Sequence, residues 1–167
     1  METATKETQK TAFIGLDMIL AQWLGHRKLT RRVFEAFPED KLFTYSVGGM
    51  RPVSELASEL LTLGAPGIRG VVEGTWSDYM KAQASFKFTN KKELLALWDK
   101  STEEITALWP QISEERFNEV DKFFGQWEGR IYWSVFYLID NEIHHRAQIY
   151  VYLRSLGIEP PAFWERA

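Results

Sequence analysis

From Arg130 to Leu156 the chain reads RIYWSVFYLIDNEIHHRAQIYVYLRSL, a run with no proline or glycine and with apolar residues on nearly every side of a helical wheel. Gly157 stands where a helix C-terminal cap would be, and Pro160-Pro161 lie beyond it. A long helix that is apolar almost all round has to be covered on more than one side. With His145 set at zero and 100° per residue, Ile131, Ser134, Leu138, Asn141, Ile149, Tyr152 and Leu156 fall within about 40° of it. Trp133, Phe136, Ile143, Ala147, Tyr150 and Val151 point elsewhere. One side needs neighbouring helices. The other needs the PPAFWERA tail, with Phe163 and Trp164, or a second subunit; a homodimer is the expectation.

Three further helical stretches supply the neighbours. Phe13, Leu16, Leu20, Trp23 and Leu24 make one apolar stripe in a helix expected from Phe13 to Phe37 and stopped by Pro38. Pro52 can open a second helix, whose buried side is Val53, Leu56, Leu60 and Leu63. Gly64, Pro66 and Gly67 predict a kink before it ends near Gly74. Asn90 caps a third, with Glu93 in capping-box spacing and Pro110 closing it. Ser113 opens a short turn of helix. No alternating strand pattern is legible. Four amphipathic helices with modest connections predict an all-α four-helix bundle, one domain over 1–167 with residues 1–11 as a flexible segment.

Composition narrows the chemistry. The chain has 167 residues, no cysteine, a net charge of −3 and an aromatic share of 14%. Disulfides, thiolate ligands and cysteine nucleophiles are excluded, and a cytoplasmic location is expected. The only basic cluster, HRKLTRR at 26–32, reads as the wet side of the first helix with His26 exposed, so nucleic acid is not an expected partner. The polar start is not a secretory signal, and no apolar run is long enough to span a membrane. Phosphate-binding glycine loops, a dinucleotide fingerprint and a Ser/His/Asp grouping are all missing.

His145 and Asn141 are then the polar groups inside an apolar stripe, while His144 turns about 100° away to the helix edge. A buried imidazole and amide need partners, since each unsatisfied group costs about 1–3 kcal/mol. A hydrogen bond between Asn141 and His145 one turn apart, a bond from another helix, a water, or a metal ion held by residues at i and i+4 would each serve.

The segment NEIHHRAQIYVYLRSLGIEPP resembles the carboxy-terminal signature of the DinB-like proteins, in which a His, HHRGQ, YLR and G…PP recur. QWLGHRKLTRRVFEAFPEDKL and MRPVSELASELL are similar to the family's first helix and the start of its second. The resemblance implies the DinB/YfiT-like metalloenzyme fold, a four-helix bundle, usually dimeric. It also implies a divalent metal, commonly nickel or zinc, on three histidines, and for some relatives thiol transferase or hydrolase activity. His145 matches the last of those histidines. Asn141 and Glu59 stand where the other two would be, Arg146 and Gln148 match, and Ala147 replaces a glycine. Glu59, Asn141 and His145 form a harder donor set, suited to manganese, ferrous iron or magnesium more than to nickel.

Gln148 and Tyr152 are the expected substrate-pocket residues. Two functions stay open: a divalent-metal-dependent transferase or hydrolase, and a metal-free, non-catalytic dimeric relative that binds a small ligand or a protein partner. A metal-free acid–base pair of Glu59 and His145 would need the two within hydrogen-bond reach across two helices.

Overall fold

The computed structural model describes residues 14–77, 81 and 86–166. The expected start of the first helix at Phe13 lies outside them. Helix α1 spans Leu16–Ala36. A 3₁₀ turn at Glu39–Lys41 leads to α2, Val53–Leu63, with Pro52 just before its first residue. The expected kink is a full break at Gly64, and α3 follows as Ala65–Glu73 with Gly74 in the left-handed conformation at its end. A Cβ at Gly64 would lie 3.0 Å from Ser101 Oγ and 3.3 Å from Arg27 Nη1, so any larger residue obliges those neighbours to give by a few tenths of an ångström.

Helix α4 is Lys91–Leu108. Its N-terminus is capped as the spacing predicts: Glu93 N donates to Asn90 Oδ1 at 2.9 Å, while Glu93 Oε2 accepts from Thr89 N at 2.7 Å. Short α5, Glu114–Asn118, begins after the Ser113 cap. Helix α6, Ile131–Ser155, ends with Gly157 at φ 74° and a bond from Ile158 N to Leu153 O.

Between α5 and α6 the chain makes a feature with no counterpart in the sequence reading, a two-stranded antiparallel hairpin. Strand β1 is Val120–Phe123 and β2 is Trp127–Arg130, with Phe123 opposite Trp127. Phe124 takes φ 54° in the turn and packs edge-on to Trp76 at 5.3 Å. The aromatic contact holds a residue where turn chemistry favours glycine or asparagine.

Helix α1 packs against α4 and α6, and α2 against α4 and α6, which makes the bundle. Its interior is layered. Trp23, Ile68, Ile105, Trp109, Ile131 and Leu138 belong to one apolar cluster; Phe34, Leu56, Leu60, Trp98, Ile149 and Tyr152 belong to another. Between them lies a buried polar layer: His26, Arg27, Thr30, Ser101, Glu142, His145 and Arg146.

That layer corrects the reading of HRKLTRR as a solvated face. His26 is only 4% exposed and Arg27 1%, because α1 is covered on this side by α4 and by α6 with the tail. Arg146 Nη2 donates to His26 Nδ1 at 3.0 Å, and Arg166 of the tail approaches Nε2 at 3.3 Å. Arg27 lies 3.7 Å over the Trp98 ring and donates to Thr102 Oγ1 at 2.7 Å. The tail does return over α6, since Tyr150 Oη donates to Pro161 O at 2.8 Å. Phe163 and Trp164 themselves stay largely exposed, as do Trp133, Phe136 and Val151 on α6.

Candidate functional site

Where the polar layer meets α2, the inward stripe of α6 brings His145 against a carboxylate. Helix α6 buries Ile131, Ser134, Leu138, Ile149 and Tyr152, so His145, on the same stripe, is 6% exposed. Glu59 sits at the edge of the α2 stripe, next to buried Leu56, Leu60 and Leu63, with 30% of its side chain exposed. The two groups meet: His145 Nε2 lies 3.1 Å from Glu59 Oε1. Asn141 Nδ2 donates to the same oxygen at 3.1 Å.

The other carboxylate oxygen is taken by a residue that the sequence reading did not single out. Arg51 Nη2 donates to Glu59 Oε2 at 2.5 Å and stands 3.5 Å from His145 Nε2. Arg51 precedes α2, and its carbonyl accepts a 2.7 Å hydrogen bond from Tyr152 Oη. That bond fixes the start of α2 to the end of α6. Tyr152 does not line the cleft beside Glu59. It is fully buried, and its hydroxyl is committed to backbone, which makes it a positioning residue for Arg51. Gln148 is likewise behind the site, with Oε1 2.8 Å from His145 Nδ1. His144 is exposed and its Nε2 lies 3.5 Å from Gln148 Nε2.

These contacts set the electrostatics. The hydrogen bond from His145, then those from Arg51 and Asn141, hold Glu59 down to about 2 against the opposing effect of burial. Glu59 is ionised and accepts only, so His145 Nε2 must carry a proton. Gln148 can serve both forms of the ring: its oxygen accepts from Nδ1–H of the imidazolium, and its amide nitrogen, after a half-turn, donates to Nδ1 of the neutral form.

The donor set does not fit a resident divalent ion as arranged. Among the described residues no group of three or more His, Asp or Glu side chains could hold one. The imidazole nitrogen and one carboxylate oxygen that would ligate it are bonded to each other, and the second oxygen holds a guanidinium. Asn141 Oδ1 is buried without a partner among the described residues, the one donor atom of the four left over.

Glu59 and Arg51 open onto a cleft of about 520 Å³. Its α2 wall is Glu55, Ser58, Glu59 and Thr62, and its far wall is Phe124 and Trp127 of the hairpin with Tyr137 of α6. The hairpin absent from the sequence reading thus supplies part of the site.

The match to known proteins follows the same scaffold. Residues 2–167 match the DinB family. The chain belongs to that family. A DinB-family relative, the uncharacterized protein YjoA of Bacillus subtilis (strain 168), is 24% identical over 154 residues, which is 90% of this chain and 96% of YjoA. The crystal structure of YjoA, a DinB-like protein, superposes with a TM-score of 0.73 at 22% identity, covering 89% of this chain and 99% of that one. A DinB-like protein from Bacillus cereus ATCC 10987 gives 0.70 at 17%, covering 89% and 97%. At these identities the likeness shows the all-α DinB-like fold. Among the described residues of this DinB-family chain, no helix is long and apolar enough to cross a membrane.

Proposed function

We propose that this DinB-family chain is a small-ligand-binding protein whose bundle site works without a resident divalent ion, the guanidinium of Arg51 balancing Glu59 in its place. The observation that carries this reading is the guanidinium of Arg51, 2.5 Å from Glu59 Oε2 and 3.5 Å from His145 Nε2, among the groups that would otherwise hold an ion. Basicity points the same way. A general base works best with a pKa near the operating pH. Glu59, held at about 2, is far from that and suits a fixed anionic acceptor facing the cleft. His145 and Asn141 orient it from behind.

Thermal melts of untagged protein test the reading. The Tm is expected to be the same in chelator and in millimolar manganese or nickel. An ion at 100 times its dissociation constant would add about 2.7 kcal/mol, a rise of about 5–10 °C for a chain of this size. Such a rise would contradict the proposal.

The metal-dependent transferase or hydrolase reading has one observation in its favour, the unpartnered Asn141 Oδ1. It predicts the rise in Tm, so the same melts separate the two. We also propose that Phe136, Ala147 and Val151, an exposed face of α6, pack against a second copy of the chain. Sedimentation equilibrium is expected to give a dimer that Val151→Arg dissociates; a monomeric parent would sink this part.

A further inference from the structure

We infer that the cleft beside Glu59 binds a small protonated amine carrying an aromatic or similarly compact apolar group, an inference that rests on the reading of this site as one that takes a small ligand and no resident ion. The α2 wall carries the argument. Glu55, Ser58, Glu59 and Thr62 fall at i, i+3, i+4 and i+7, so they share one helix face. Both hydroxyls spend their protons on their own helix: Ser58 Oγ donates to Ser54 O at 2.8 Å and Thr62 Oγ1 to Ser58 O at 2.9 Å. What they turn to the cleft is lone pairs. Beside two carboxylates, these four side chains only accept hydrogen bonds, and the donors on the cleft are the remaining N–H groups of Arg51.

Charge points the same way. Arg51 is bound to Glu59 and neutralises it. Glu55, one turn earlier, is exposed, and its carboxylate has no ionic or hydrogen-bond partner among the described residues. An anion entering here meets Glu55 with no cation left to balance it, whereas an ammonium meets one uncompensated carboxylate and a row of acceptors.

The facing wall is aromatic. Phe124, Trp127 and Tyr137 line the cleft. The same three, with Phe123 and Trp133, enclose an adjoining recess of about 140 Å³. A cavity of about 150 Å³ accommodates benzene, so the recess matches a single ring. Ring faces of Trp and Tyr also attract a cation held near them. The geometry thus specifies a ligand with a cationic head for α2 and an apolar end for the hairpin.

Isothermal titration calorimetry on the full chain at pH 7 tests this with three probes of similar shape: phenethylamine, 2-phenylethanol and 3-phenylpropionate. Phenethylamine is expected to bind, the alcohol at least about tenfold more weakly, and the carboxylate not at all. Glu55→Gln and Trp127→Ala alter exposed side chains and are expected to weaken phenethylamine by about fivefold each. Equal binding of amine and alcohol, preference for the carboxylate, no binding of any probe, or undiminished binding by Glu55→Gln would each overturn the inference. The ion-dependent melts need no amine. Loss of amine binding with ion-indifferent melts therefore removes the ligand class alone.

Discussion

Glu142→Gln keeps the shape of a buried side chain and removes its charge, and the polar layer makes that change costly. Glu142 is 2% exposed. Its Oε1 accepts from Thr30 Oγ1 at 2.6 Å and its Oε2 from Trp23 Nε1 at 2.9 Å, with Arg27 Nη1 at 3.7 Å and Arg146 Nη1 at 3.9 Å. In the amide, one of the two acceptors becomes an NH₂ that faces an existing donor. Two buried guanidinium groups also lose their counter-charge. Removing one partner of a buried ion pair costs about 3–5 kcal/mol.

We place this case near about 3, because the arginines keep other bonds. Arg27 retains Thr102 and the Trp98 ring, and Arg146 retains His26 O at 3.1 Å. For a chain of this length the Tm should fall by about 6–12 °C. Circular-dichroism melts and urea titrations at pH 7 measure it. The double variant Glu142→Gln, Arg27→Met should lose at least about 1 kcal/mol less than the sum of its singles, since the two side chains share one interaction. A Glu142→Gln protein within about 1 kcal/mol of the parent, or strict additivity, would refute the account of the layer.

Four further outcomes follow from named contacts. Burial, then Arg146 and Arg166, hold His26 down to about 4 from its ordinary 6.5, so between those values the unfolded chain binds a proton that the folded chain does not. Stability should therefore rise with pH across that window, and His26→Gln should flatten the slope in melts run at a series of pH values. Glu59 acts lower down: its stabilisation is complete above its ordinary 4.5 and is lost as pH falls toward about 2, and Glu59→Gln should make the slope across that window shallower. A Cβ at Gly70 would run into the Trp76 ring, so Gly70→Ala should destabilise by about 1–2 kcal/mol in spite of alanine's better helix propensity, and Trp76→Leu should relieve the cost. Asn90→Ala should cost about 1 kcal/mol in a denaturant titration through loss of the bond from Glu93 N.

Local signals explain what the sequence disclosed. Periodicity, the Asn90–Glu93 pair, Gly64 and Gly157 each act within a few residues, and they place four helices and point His145 inward. The stripe-edge position of Glu59 was also legible, and the structure sets it within 3.1 Å of His145. The hairpin was not legible, because its strands are four residues long, mostly exposed on both faces, and turn through Phe124 instead of a glycine or asparagine at that point. His26 and Glu142 were missed for a different reason. Helical spacing gives the angle of a side chain about its own axis and says nothing of which other helix comes to meet it. Arg51 left one sequence signal, its place immediately before the Pro52 that opens α2, eight residues ahead of Glu59.

Equilibrium dialysis against nickel, with metal content per chain read by mass spectrometry, puts the greatest strain on the central claim. Untagged parent protein is expected to stay at background, because a guanidinium and two mutually bonded ligands fill the site. The Glu59→His, Asn141→His variant, with three imidazoles brought together, is expected to take up one ion per chain. A parent that itself retains one tightly held ion per chain would contradict the account.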